Sequence, residues 1–168
     1  MSESPLRLVL DTNVCLDLLL FKDPRVADLA QQLQRGELIA YRDEATVEEW
    51  RRVVAYAVWK LSGERQRQLL ADFESITTAS HSPTEAMTQL PQCRDPDDQK
   101  FLQLAASASA TALLSKDRDL LKLARICRRR CGFAILSPSQ WGQLDGPARS
   151  ALQAELSRGR SALGQTGF

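Results

Sequence analysis

Short apolar runs alternate along the chain with longer segments in which apolar residues recur every three or four positions. Short runs bounded by polar or turn-forming residues are typical of buried parallel strands. The predicted strands occupy residues 6–10, 37–41, 111–115 and 133–136, with a weaker candidate at 75–78. The amphipathic segments predict helices over residues 15–20, 25–34, 45–61, 64–73, 98–109 and 118–130. Three prolines predict a loop with one helical turn over residues 80–97.

This alternation predicts a three-layer α/β/α fold with a mainly parallel central sheet of about five strands. The pattern fills residues 1–145, which we interpret as one domain. Beyond it, a helix is predicted over 147–156 and a frayed tail over 157–168, so residues 146–168 form a partly flexible extension. Ligands of such sheets gather outside the C-terminal ends of the strands. The chemistry is therefore expected there.

Composition agrees with a soluble globular domain, since the 168 residues are 43% hydrophobic and 26% charged. The best apolar run, residues 8–20, contains Asp11 and Asp17, so it does not predict a membrane span. The N-terminus lacks the basic start of a signal peptide. The four cysteines include no C-x-x-C pair, and the single histidine, His81, cannot complete a common zinc site. We expect a cytoplasmic protein with reduced thiols.

The formal net charge of +1 conceals an uneven distribution. Residues 1–50 carry five basic and ten acidic side chains, whereas residues 51–168 carry seventeen and eleven. Residues 116–130 alone carry seven basic and two acidic side chains. Such a run is either a solvated helix face or a surface that meets phosphate.

Carboxylates follow several predicted strands or open the next helix: Asp11, Glu49, Asp98 and Asp117. Each one has a structural alternative, as a helix N-cap or as a partner of the helix dipole. Gathered at one end of a sheet, however, they would repel one another and raise each other's pKa. A divalent cation resolves that conflict, and oxygen-only ligands favour Mg²⁺ or Mn²⁺. Such a site suits phosphodiester hydrolysis.

Four short motifs contain the acids. They are residues 8–14 (L-V-L-D-T-N-V), 46–50 (T-V-E-E-W), 95–105 (D-P-D-D-Q-K-F-L-Q-L-A) and 113–121 (L-L-S-K-D-R-D-L-L). The first two resemble the opening strand with its D-T-N-V motif and the T-x-x-E motif of PIN-domain nucleases. The third is similar to the D-P-D-D-x-x-F-L-x-L-A signature of a bacterial branch of toxins in that family, and the fourth to its motif [T/S]-x-D-x-D-L-L. The resemblance covers about residues 6–142.

The resemblance implies metal-binding and catalytic roles for Asp11, Glu49, Asp98 and Asp117. The family implies Mg²⁺- or Mn²⁺-dependent cleavage of RNA, often by a homodimer and often by the toxin of a toxin–antitoxin pair, with an antitoxin protein as partner.

The resemblance also implies that three neighbouring polar residues, Thr12, Asn13 and Ser115, orient the carboxylates or water. Lys116 and Arg118 flank the fourth acid, so we expect them to contact RNA phosphates.

Three questions stay open in the sequence. Glu48 stands beside Glu49; at about 100° per residue Glu49 lies nearer the buried face of its helix, so we favour it. A non-catalytic module that binds RNA or an antitoxin would keep the acids as caps and ion sites. A phosphatase that forms an aspartyl-phosphate is the third class, but it usually needs D-x-D, and the second position after Asp11 is Asn13.

Overall fold

Five strands form the central sheet: β1 (Leu6–Leu10), β2 (Leu38–Arg42), β3 (Thr77–Ala79), β4 (Ala112–Leu114) and β5 (Ala134–Leu136). In the computed structural model, which describes residues 4–81 and 90–164, their order is β3-β2-β1-β4-β5 and every neighbouring pair is parallel. The first strand of the chain is therefore the central one. The predicted mainly parallel sheet of five strands is confirmed.

Helices connect the strands and cover both faces of the sheet, as the predicted three-layer α/β/α fold requires. In the described ranges they are α1 (Thr12–Leu19), α2 (Ala27–Gln34), α3 (Glu44–Val54), α4 (Gly63–Ile76), α5 (Gln99–Ser107), α6 (Arg118–Leu121), α7 (Ala124–Arg130), α8 (Pro138–Gln143) and α9 (Gly146–Gly164). Short 3-10 turns occupy Pro24–Val26, Ala57–Trp59 and Pro96–Asp98.

Two hydrophobic cores lie on opposite faces of the sheet, because successive side chains of a strand point to opposite sides. Leu8 and Leu10 of β1 belong to one core with Trp50 of α3. Val9 belongs to the other with Phe101 of α5. Burial on both faces explains why the strands are continuous apolar runs in the sequence.

The helix predicted over residues 45–61 is shorter than its apolar pattern indicates. The structure ends α3 at Val54, and Val58, which belongs to the apolar stripe of the predicted helix, is 72% exposed. The chain turns into a 3-10 turn, from which the indole of Trp59 donates a hydrogen bond of 2.9 Å to the carbonyl oxygen of Val53. The same carbonyl also accepts the N–H of Tyr56 (3.1 Å), so two hydrogen bonds hold the chain as it leaves the helix. The prediction of one long helix is therefore wrong.

The basic helix predicted over residues 118–130 is also divided. Between α6 and α7 the N–H of Leu123 donates to the carbonyl of Leu120, three residues back rather than four. This tighter bond is typical of 3-10 geometry and interrupts the α-helix. The two helices therefore replace the single predicted one.

The C-terminal helix is longer than predicted, since α9 continues to Gly164 where a frayed tail was expected from residue 157. Leu152 and Leu156 of this helix are buried in the core. Residues 165–168, and residues 82–89 of the predicted proline loop, lie outside the described residues. The division of the chain at residue 145 stays a prediction.

Polar contacts also attach α9 to the strands. Arg160 donates hydrogen bonds to the carbonyls of Gly132 and Ala110, which precede β5 and β4. A side chain at Gly132 (φ +75°) would collide with Arg160, so the close packing needs glycine at that position. Arg128 of α7 forms two hydrogen bonds, of 2.9 and 2.7 Å, with Glu155.

No helix among the described residues is long and apolar enough to span a membrane. The four cysteines are free thiols in the structure.

We expect Leu156→Ala to lower the free energy of unfolding by about 2–5 kcal/mol, because the residue is 1% exposed and its truncation leaves a cavity. The same change at Leu163, which is 42% exposed on the same helix, should cost less than about 0.5 kcal/mol. Urea unfolding followed by circular dichroism measures both. Equal stability of Leu156→Ala and the unmodified protein would mean that the Leu156 side chain is not packed in the core.

Candidate active site

Asp11 follows the central strand directly and is almost fully buried, at 4% exposure. Its N–H donates to the carbonyl of Leu114 (2.9 Å), so the backbone is held at the end of the β1–β4 pair. Its Oδ2 accepts hydrogen bonds from Ser115 Oγ (2.5 Å) and Asn13 Nδ2 (3.1 Å). Asp11 occupies the N-cap position of α1 without a side-chain capping bond. Helix capping therefore does not explain its presence.

Ser115 joins two of the predicted acids. Its buried hydroxyl donates to Asp11 and accepts the N–H of Asp117 (2.9 Å). Asp117 Oδ1 accepts the N–H groups of Asp119 (2.8 Å) and Leu120 (3.0 Å), so this carboxylate does cap α6. Asp117 is therefore a helix N-cap, as the structural alternative proposed, and it also lies beside Ser115. Asp119, two residues further along the chain, is paired with the side chain of Lys122.

Glu49 projects from α3 toward the end of β1. The helix begins with a capping box in which Asp43 and Thr46 exchange hydrogen bonds, and this fixes the phase of the next turn. Glu49 Oε1 accepts a hydrogen bond of 2.6 Å from Thr12 Oγ1. Its side chain is 11% exposed, whereas that of Glu48 is 73% exposed and pairs with an arginine on the surface. The structure therefore brings Glu49, and not Glu48, to the sheet edge.

Asp98 approaches the same edge from the 3-10 turn that precedes α5. It is half-buried and occupies the N-cap position of α5 without a side-chain capping bond. The negative charges of Asp11 and Asp117 act on it. All four predicted acids are thus electrostatic neighbours.

Burial and mutual repulsion perturb two of these carboxyls. Burial, followed by the charge of Glu49, raises the pKa of Asp11 to about 6, and the hydrogen bond from Ser115 opposes this rise. Burial, followed by the charges of Asp11 and Asp117, raises the pKa of Asp98 to about 7. Perturbed carboxyls clustered in this way are typical of functional sites.

Two cation–carboxylate pairs at the site were not predicted from the sequence. The ammonium of Lys100 contacts Glu49 Oε2, with both side chains largely buried. Lys116 Nζ lies 2.6 Å from Oδ2 of the buried Asp17. Lys100 stands two residues after Asp98, at a position that the D-P-D-D-x-x-F-L-x-L-A signature leaves unspecified, so only its closeness to Asp98 in the sequence could have indicated it. No sequence signal indicated the pairing of Asp17, because its partner Lys116 lies 99 positions away in the sequence.

The other predicted residues have distinct surroundings. Thr12, Asn13 and Ser115 each form a hydrogen bond with one of the acids, as groups that orient carboxylates must. Lys116, predicted to contact RNA, already forms an ion pair with Asp17, although 45% of its side chain is exposed. Arg118 is exposed at the start of α6.

The donor chemistry fits a hard divalent cation, since the gathered side chains offer carboxylate oxygens and their repulsion would be relieved by positive charge. Within residues 4–81 and 90–164, however, no three histidine, cysteine, aspartate or glutamate side chains already stand close enough to hold a metal ion. Part of the charge that a cation would neutralise is instead balanced by Lys100.

Comparison with known proteins identifies a family for this chain. The family model described as PIN domain matches residues 7–119, about two thirds of the chain. No curated protein and no solved structure matches the chain significantly. The matched span contains all four acids and both cation–carboxylate pairs.

We expect the stability of Asp11→Asn relative to the unmodified protein to depend on pH. The carboxyl has a pKa of about 6 when folded, against 3.8 without its protein surroundings, so the folded state holds the proton more tightly. Its contribution to stability is full below about pH 4 and is lost as pH rises through about 6. Asparagine has no such loss, so the difference should grow by roughly 2–3 kcal/mol by pH 8.

Urea unfolding of both proteins at about pH 4, 6 and 8 in EDTA measures this difference. Glu48→Gln is the control, because Glu48 is exposed and its relative stability should stay constant. A constant difference for Asp11→Asn as well would show that the Asp11 carboxyl is not perturbed.

Proposed function

The chain belongs to the PIN-domain nuclease family, and from this premise we propose that it is a divalent-cation-dependent endoribonuclease that hydrolyses RNA phosphodiester bonds. The observation that carries the proposal is the gathering of Asp11, Glu49, Asp98 and Asp117 at one edge of the sheet, with the pKa raised at two of them. Asp11 and Asp98 form no side-chain capping bond, so helix capping does not account for their positions.

Mg²⁺ or Mn²⁺ would be held by carboxylate oxygens of Asp11, Asp98 and Asp117, with Glu49 as a further ligand or as the group that positions the attacking water. When bound, such a cation neutralises charge on the phosphoryl group and makes water more acidic. The remaining contacts orient these acids in advance.

Three contacts fix the orientation of the acids before any ligand binds. Ser115 and Asn13 hold the Asp11 carboxylate, and Thr12 holds Glu49. Preorganised groups need not be reoriented during the reaction, which lowers its barrier. This arrangement also explains why the hydroxyl and amide residues of the D-T-N motif accompany the acid.

The resemblance of the motifs to a bacterial branch of toxins supports a narrower role. We infer that the protein is the toxin of a toxin–antitoxin pair, acts in the cytoplasm as a homodimer and is held inactive by an antitoxin protein. Expression of the chain in bacteria should then arrest growth, and Asp11→Asn should relieve the arrest.

One observation favours the alternative, a non-catalytic module that binds RNA or an antitoxin. Lys100 already balances the charge of Glu49, and the described residues include no ready group of three metal ligands. In that case RNA binding would persist in EDTA and no cleavage would occur with any divalent cation. The two functions are therefore separable in one assay.

We expect RNA cleavage in Mg²⁺ or Mn²⁺ and none in excess EDTA. Asp11→Asn, Asp98→Asn and Asp117→Asn should each lower the rate roughly 100-fold or more, because each removes charge that holds the cation. Cleavage of a labelled RNA is measured by electrophoresis, with circular dichroism to confirm folding. Undiminished cleavage in all three variants would remove these acids from the active site.

Glu49→Gln and Glu48→Gln form a matched pair on adjacent positions of α3. The first should reduce cleavage strongly, because the charge of Glu49 acts on Asp11, and the second should leave cleavage nearly unchanged, because Glu48 lies on the surface. The same electrophoretic assay applies. A larger loss in Glu48→Gln would contradict the placement of Glu49 in the site.

Arg118→Gln should weaken RNA binding for all sequences and flatten the dependence of log Kd on log salt by about 0.7, the value for one contact with a single strand. Lys116→Gln alone would leave Asp17 buried and unpaired, which destabilises the fold. The informative variant is therefore Lys116→Gln combined with Asp17→Asn. Fluorescence anisotropy in EDTA measures both, and unchanged slopes would exclude these contacts.

A further inference from the structure

The ion pair of Lys100 and Glu49 spans the edge of the sheet. Glu49 directly precedes Trp50, which belongs to the hydrophobic core on one face of the sheet. Lys100 directly precedes Phe101, which belongs to the core on the opposite face. A contact between two such neighbours passes over the ends of the strands, because the sheet separates the two cores. Glu49 also accepts the hydroxyl of Thr12 at the start of α1. The Lys100 ammonium therefore lies at the edge where the acids gather.

Both charges of this pair are largely withdrawn from water. The Lys100 and Glu49 side chains are 19% and 11% exposed. Those of the surface pair Arg51 and Glu48 on the same helix as Glu49 are 55% and 73% exposed. Burial of an ion pair is costly unless further hydrogen bonds compensate for it, and the second oxygen of Glu49 receives one from Thr12 (2.6 Å). A lysine side chain could extend into water at lower cost. The ammonium is therefore a fixed part of the site.

Positive charge is distributed unevenly among the four acids. Within residues 4–81 and 90–164, three of them form no ion pair: Asp11, Asp98 and Asp117. Glu49 has two cationic neighbours, because its Oε2 contacts Lys100 and lies 4.0 Å from the guanidinium of Arg52. The Arg52 side chain is 55% exposed, so water screens its charge. Lys100 therefore supplies most of the compensation, and the negative charge left for a divalent cation is that of the other three acids.

A second divalent cation beside Glu49 would meet the ammonium that is already there. Enzymes that use two divalent ions on a phosphate hold them about 3.5–4 Å apart, where they stabilise the attacking and leaving oxygens. Like charges at such distances repel strongly in a protein, so Lys100 and a divalent ion do not share the Glu49 carboxylate. The ammonium carries three N–H donors, so the same group can bind Glu49 and phosphate oxygens at once.

We propose that the Lys100 ammonium takes the place of a second divalent cation, so that the active site binds a single divalent ion on the three acids without an ion pair. Lys100 then supplies positive charge to the RNA phosphate, and Glu49, held by Lys100 and Thr12, positions the attacking water. This role rests on the proposed ribonuclease function, to which it adds a positively charged residue and the number of divalent ions.

Binding of Mn²⁺ to the full chain without RNA tests this role, with the free ion measured by electron paramagnetic resonance. The unmodified protein should bind about one Mn²⁺ per chain. Lys100→Met keeps the length of the side chain and removes its charge, so Glu49 becomes available to a second ion and the number bound should rise to about two. Circular dichroism confirms folding, and Lys100→Gln, which can still donate to Glu49, replaces the methionine variant if that variant does not fold.

Two matched variants show whether a second ion depends on both Lys100 and Glu49. Arg52→Met removes the exposed guanidinium near the same carboxylate oxygen and should leave the number of bound ions at about one. Lys100→Met combined with Glu49→Gln removes both buried charges, which avoids an unpaired carboxylate. The double variant should also bind about one ion, because the second site has lost its ligand.

Either of two results would overturn the role of Lys100. The first is more than one Mn²⁺ bound by the unmodified protein, and the second is an equal number bound by Lys100→Met and the unmodified protein. Both results, in a protein that cleaves RNA, leave the proposed ribonuclease function intact. A chain that binds no Mn²⁺ and cleaves no RNA would instead overturn the proposed function, and the role of Lys100 with it.

Discussion

The Asp11 carboxylate, buried at the end of the central strand, imposes the constraint on which its surroundings depend. A buried negative charge is costly unless hydrogen bonds or positive charge compensate for it. Ser115 and Asn13 supply two hydrogen bonds, and the backbone bond to Leu114 fixes the position. The parallel order of the sheet places β4, which carries Ser115, directly beside β1. The strand order of the sheet therefore determines which side chain stabilises the buried carboxylate.

Much of the fold was readable from the sequence because parallel strands buried on both faces leave a clear signal. Five apolar runs and their intervening amphipathic segments predicted the strands and their parallel sheet. The errors came where periodicity continued past a real break. The stripe over residues 45–61 extends through Val58, but the chain turns so that Trp59 can bond to Val53. Tertiary contacts of this kind override a local pattern.

The predicted acids lie at the same edge of the sheet because the C-terminal ends of parallel strands share one edge, which is a general rule. No comparable rule predicts which individual side chains contact one another. Glu49 with Lys100 and Asp17 with Lys116 join residues 51 and 99 positions apart, so neither pair has a local pattern. Helix phase did indicate that Glu49 rather than Glu48 faces inward, since an angular preference is a local property.

The bond between Ser115 and Asp11 closes a separation of 104 residues, and the pairing of β1 with β4 spans a similar length of chain. Contacts this distant in sequence carry a large loop-closure entropy, which slows folding. During synthesis, β1 and α3 emerge from the ribosome long before β4. A nascent chain shorter than about 115 residues has Asp11 and Glu49 but no Ser115 or Asp117 to complete the cluster. The acids are thus assembled only when most of the protein has been translated.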